Sequence, residues 1–323
     1  MLRDAPAPTP STRIIRWRLR FEARTEVHLP DYPGSTWRGA FGRALRSLSC
    51  LTGADHCNGC EHSVDCRYAT IFDPSLLPPG HPDRVNHFTD PIRPFVIDFA
   101  WDHTQHIAAG EAHSLDISLF GPASAHGPSV IEAFTEAGAR HRVGADRNQG
   151  KGILQLVDAT PIPLPEQPPA PDETVQVLIE TPLRIKANRR KHVLRPAQLT
   201  LAAIAQALIR RVPFLAPSGR YDRDRLIAET AETPLINPRL SWHTWRRYSI
   251  EKHQHQDHSG VIGAFTLPAP ANHFPELWPL LWWGQYTHVG KGATFGLGAY
   301  RIGGEPVEAP SANLPVTRDT NEI

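Results

Sequence analysis

The chain has 323 residues, with 34 lysines and arginines against 33 aspartates and glutamates and a 40% hydrophobic content. That length allows one large domain or two ordinary ones, and a net charge of +1 means that any basic surface has to be local. The opening "MLRDAPAPTPSTR" lacks the apolar core of a signal peptide. The longest bulky apolar run, "LWPLLWW" at 277–283, is too short to span a membrane, so the expectation is a cytoplasmic protein with no membrane partner.

"IIRWRLRFEA" alternates, with Ile15, Trp17, Leu19 and Phe21 on one face and Arg16, Arg18 and Arg20 on the other, which predicts a half-buried strand. A helix is predicted over 35–48, where Trp37, Ala40, Phe41, Ala44, Leu45 and Leu48 recur at helical spacing and Ser35 or Thr36 stands ready to cap.

All four cysteines follow, in C-x6-C-x2-C-x5-C spacing: Cys50, Cys57, Cys60 and Cys66. A C-x2-C turn brings two thiolates to one side, and two more nearby complete a tetrahedron, so the reading is a structural zinc with His56 and His62 as substitute ligands. Two disulfides, which a cytoplasmic protein disfavours, an iron–sulfur cluster and unligated thiols are the alternatives. Four protein ligands would leave no open position for catalysis.

Residues 73–95 are rich in proline and expected to be irregular. "SLDISLFG" (114–121) predicts a strand, 128–139 a helix and 152–159 a strand. "PIPLPEQPPAP", beginning at Pro161, reads as a linker because proline joins neither a helix interior nor a central strand. The pattern then restarts with a strand from 175, a helix from 196, a strand from 259, an apolar helix over 274–284 and a last strand, "GAYRI".

The two halves end alike. "VGADRNQGKG" from Val143 and "VGKGATFGLG" from Val289 are both V-G-x5-G-x-G followed by a strand, in register at an offset of 146. This predicts a duplication and an α+β fold class: two tandem ferredoxin-like domains with a zinc-binding insertion in the first. The expected boundaries are 1–160, a linker over 161–173, a second domain over 174–308 and a tail over 309–323. Gly290, Gly292, Gly296 and Gly298 bare a loop that carries His288 and Lys291, as though backbone amides had to meet phosphate. The loop satisfies neither the Walker pattern, which needs Ser or Thr where Gly292 stands, nor the Rossmann pattern, because it leads into a strand.

From Thr181 to Tyr221 there is no acidic residue but nine basic ones, among them Arg184, Lys186, Arg189, Arg190, Lys191 and Arg195. A solvated face usually mixes signs, so the excess points to a polyanion, and Arg140, Arg142, Arg147 and Lys151 around the first glycine loop extend it.

"PDYPGSTWRGAFGRALRSL", "CNGCEHSVDCRYATIFDP" and "THVGKGATFGLGAYRI" resemble the RAMP superfamily. Within it they are similar to the cysteine-containing branch of the endoribonucleases that process precursor crRNA. The resemblance implies tandem ferredoxin-like folds, binding of CRISPR repeat RNA along a basic cleft, and cleavage without a catalytic metal. The 2′-hydroxyl would attack the adjacent phosphate to give a 2′,3′-cyclic phosphate and a 5′-hydroxyl. It also implies a rival class, a non-catalytic crRNA-binding subunit of a CRISPR effector complex. The first predicted helix carries no histidine, so the candidate acid/base groups are His288 and His28, with Tyr32 and Lys291 assisting and Arg38 contacting phosphate.

Overall fold

The computed structural model describes residues 14–30, 32–84, 91–99, 106–141, 143, 152–186, 192–211, 223–231, 233–249, 254–268 and 276–303. The chain divides into two compact units, Met1–Leu164 and Pro165–Ile323.

In the first unit β1 (Ile15–Ala23) leads through a two-residue strand, β2 (Val27–His28), into α1 (Gly34–Ser49). The cysteine segment and a short helix, α2 (Arg67–Ile71), follow, and then β3 (Phe95–Asp98), β4 (His106–Ile107) and β5 (Ala112–Leu119). The unit closes with α3 (Gly127–Ala139) and β6 (Leu154–Ile162). Its sheet has the order β3-β5-β1-β6, with every neighbouring pair antiparallel. That is the ferredoxin-like arrangement, to which the β2–β4 ribbon and the cysteine segment are additions.

Leu19 and Phe21 of β1 are fully buried with Trp37, Phe41 and Phe134 of the helices, so the apolar face of the alternation covers the core. The helix begins at Gly34 behind Pro33 and has no side-chain cap, which corrects the expected Ser35 or Thr36 cap: both lie inside its first turn. The segment expected to be irregular ends in β3, whose four residues are too few to display a period. β6 also runs two residues into the proline-rich stretch. Pro161 pairs with Trp17 there, which is tolerated because β6 is an edge strand.

The arginine face of β1 is not simply solvated. Arg16 Nη2 donates to Asp98 Oδ2 at 2.8 Å and Asp116 Oδ2 at 2.9 Å, while Arg18 Nε donates to Asp116 Oδ1 at 2.9 Å. Burial alone would lower the Arg16 pKa, but Asp98 and Asp116 together raise it. With Arg16 and Asp116 only 13% and 11% exposed, Asp116→Ala should cost about 2–3 kcal/mol in urea denaturation, since it leaves a buried guanidinium half compensated.

In the second unit β7 (Thr174–Leu183) precedes α4 (Leu201–Arg211), α5 (Arg223–Ala231), β8 (Ile236–His243), a hairpin of β9 (Arg246–Ser249) and β10 (Gln254–Asp257), β11 (Gly260–Pro268), α6 (Leu277–Thr287) and β12 (Tyr300–Ile302). The order β12-β7-β11-β8 is the same ferredoxin-like pattern. Alternate residues of β7, Val175, Val177, Ile179 and Thr181, are buried. α5, β8, β9 and β10 carry no sequence signal strong enough to predict them.

Candidate active site and basic surface

β2 and β4 form a two-stranded antiparallel ribbon in which Val27 faces Ile107 and His28 faces His106. Residues directly opposite share a face, and the next pair lies on the other. Val27 and Ile107 are buried, at 0% and 1% exposure, so the ribbon is anchored through one face and presents both imidazoles on the other.

The rings lie 4.8 Å apart, centroid to centroid, at 34°. Glu26 joins them: its Oε1 is 2.5 Å from His106 Nε2 and 3.2 Å from His28 Nε2. The side chains are about half exposed, at 57% for Glu26, 46% for His28 and 52% for His106. The hydrogen bond from His106, aided by both imidazoles' charges, holds the Glu26 carboxyl below its ordinary range. A carboxylate only accepts, so the ring nitrogens are the donors, leaving Nδ1 of each ring as the other proton-exchanging atom. His28 is a candidate from the sequence; His106 and Glu26 are not. Only the strand register brings Glu26 within reach of a histidine 80 residues away.

The other expected catalytic groups are placed differently. His288 follows α6 with φ 53° and is 0% exposed, so in this conformation its ring does not face solvent. Tyr32 is also buried, at 6%. Lys291 is exposed, and its backbone N–H donates to Arg184 O at 3.0 Å.

That hydrogen bond belongs to an intramolecular reason for the bare loop. Gly290, Gly292, Gly296 and Gly298 all have positive φ. A Cβ on Gly290 would stand 2.8 Å from Arg184 O, and one on Gly298 only 1.8 Å from Val289 O. Thr181, buried in β7, clamps the loop by donating to Gly296 O and accepting from Ala299 N, both at 2.8 Å. The glycines thus let the loop fold against β7 and against itself.

Of the expected RNA-contacting side chains, Arg184 is half-buried and spends its guanidinium on the carbonyls of Asp257 at 2.6 Å and Ser259 at 3.2 Å. Arg195 is exposed and lies 3.7 Å over the Trp242 ring, a flat cationic platform of the kind that stacks on bases. Lys186 is exposed. Arg38 rests over Phe72 at 4.6 Å, and Arg140 pairs with Glu136 at 3.1 Å while remaining 78% exposed. Arg142, Arg147, Lys151, Arg189, Arg190 and Lys191 lie outside the described residues, as do Gly144 and Gly150 of the first glycine loop.

The four cysteines are free thiols, each partly buried, and all of them line one cavity together with His56 and His62. The donor set suits zinc, yet no three of the sulfurs lie within 4.8 Å of one another; among the described residues only Glu26, His28 and His106 form such a cluster.

Comparison with known proteins follows the division into two units. A family described as the CRISPR-associated endoribonuclease Cas6 matches residues 177–300, and an N-terminal-domain family, AF_1859_N, matches 11–166. An uncharacterised protein of Archaeoglobus fulgidus is 25% identical over 134 residues, 42% of this chain and 43% of that relative, so the match spans less than half the relative's length. A Cas6 product complex superposes with a TM-score of 0.57 at 15% identity, over 90% of this chain and 100% of that one. A second Cas6 product complex gives 0.51 at 14% identity, over 90% and 99%. At these identities the likeness establishes the fold.

The tandem ferredoxin-like units give this chain the fold of the Cas6 structures it superposes on. The match to the CRISPR-associated endoribonuclease Cas6 family, residues 177–300, falls wholly in the second unit. Among the described residues no helix is long and apolar enough to cross a membrane.

Proposed function

We propose that the protein cleaves CRISPR repeat RNA by metal-independent transesterification, with His28 and His106 as the proton-transfer pair. The observation that carries this reading is the solvent-facing histidine pair bridged by Glu26 on a ribbon anchored in the core. The Cas6 match in the other unit supports the substrate class.

The reaction needs a base and an acid. One imidazole takes the proton of the ribose 2′-hydroxyl as its oxygen bonds to the adjacent phosphorus. The P–O5′ bond breaks, and the other ring, as imidazolium, gives its proton to the departing 5′-oxygen. The products are a 2′,3′-cyclic phosphate and a 5′-hydroxyl, and the charge of the acid also stabilises the phosphorane. Lys186, Arg195 and Lys291, exposed on the second unit, supply phosphate contacts, and the Arg195–Trp242 platform a stacking surface.

The test is incubation of purified protein with repeat RNA in EDTA. A single cut with a cyclic phosphate on the upstream fragment is expected. Tight binding that leaves the RNA intact would instead assign the protein to the non-catalytic subunits of CRISPR effector complexes.

For the cysteine segment we propose a structural zinc on Cys50, Cys57, Cys60 and Cys66, supported by their common cavity. Bound metal would hold a segment that carries little apolar core of its own. Purified protein should contain about one zinc per chain, and Cys60→Ser should lose it and melt earlier, with cleavage by the remaining folded protein unchanged. A metal-free wild type with the same melting temperature as Cys60→Ser would refute this.

A further inference from the structure

We infer that Glu26, His28 and His106 form a binding site for one divalent transition-metal ion of the zinc or nickel class, and that its occupancy switches cleavage off. The second half rests on the function proposed above; the first does not.

The three ligand atoms all lie within 4.8 Å of one another. Metal–ligand bonds of 2.0–2.1 Å in a tetrahedron place neighbouring ligands about 3.3 Å apart. His28 Nε2 and Glu26 Oε1, at 3.2 Å, already stand at that separation. His106 Nε2, at 2.5 Å, is held by a hydrogen bond whose proton the ion would replace, and the pair has to open by less than about 1 Å. All three side chains are about half exposed, so the ion has access and the side chains have room to move. The buried Val27 and Ile107 keep the two strands in register beneath them.

Two imidazoles and one carboxylate favour zinc or nickel over magnesium or calcium, which prefer all-oxygen shells. They also leave an open coordination position. An ion on both Nε2 atoms leaves each ring its single proton on Nδ1, so neither ring can accept a proton there or exist as the imidazolium that donates one. Metal-bound protein therefore lacks both base and acid. This donor set is separate from the thiols of the cysteine segment, so the two sites are distinguishable by titration.

The experiment titrates Ni²⁺ into the full chain, with any tightly held zinc left in place, by calorimetry, alongside His28→Ala and His106→Ala with their folding checked by circular dichroism. Wild type should take up one more equivalent than either variant, or bind it at least about tenfold more tightly. Excess Ni²⁺ should slow wild-type cleavage at least about tenfold, and EDTA should restore it. Equal nickel uptake by wild type and both variants would overturn the site. Uptake that depends on both histidines but leaves cleavage untouched or accelerates it would overturn the switch, and with it the catalytic role of the pair, while the metal site stands.

Discussion

His28→Ala and His106→Ala should each slow cleavage of repeat RNA by about 10²–10⁴-fold while changing affinity by less than about threefold. Each ring is about half exposed on the ribbon, so truncation removes a proton-transfer group without opening a core cavity. Affinity is expected to hold because phosphate contacts on the other unit are untouched. His288→Ala provides the contrast. That imidazole is fully buried, so its loss should lower the melting temperature, with activity per folded molecule retained. Single-turnover cleavage and filter binding at one salt concentration read both quantities. Full activity in the His28→Ala, His106→Ala double variant would remove the pair from the mechanism. The depressed Glu26 pKa adds a pH expectation: the carboxylate persists through the neutral range, and its bridge is lost only as pH falls through that lowered value.

The second large effect is conformational. Gly298→Ala should destabilise the second unit by about 4 kcal/mol or more, because a Cβ there meets Val289 O at 1.8 Å and the backbone already sits at φ 68°. The same two residues make the Val289 N–H to Gly298 O hydrogen bond, 3.1 Å, that closes the loop. Gly303→Ala separates strain from packing. Gly303 has φ 85°, but a methyl group there would meet nothing within 4 Å, so about 1–2 kcal/mol is expected from the left-handed conformation alone. Denaturation of the two variants should differ by at least about 2 kcal/mol. Equal costs would mean that the loop yields, and that its glycines are not required for its packing on β7.

The two glycine variants bear on what a sequence can say. Four glycines before a strand announce a tight backbone, and with a lysine and a histidine beside them they suggest room made for phosphate. Three-dimensional packing supplies a nearer partner, since Arg184 O and Val289 O occupy the space that side chains would need. Similarly, the arginine-rich window promises free cations, but Arg184 is turned inward onto backbone carbonyls while Arg195 stays outside on Trp242. Charge composition records the sign of a segment and not which of its side chains are already engaged.

Sequence by itself determined the two-unit α+β architecture, because strand alternation, the helical period of α1 and the repeated V-G-x5-G-x-G are local patterns set by backbone geometry. It also marked His28 and grouped the four cysteines. Tertiary structure alone decided that His28 meets His106 and Glu26, that His288 is interior, and which arginines are spent on the fold. These outcomes depend on strand register and on packing between segments far apart in the chain, where a shift of one residue would turn His28 and His106 away from the face they share.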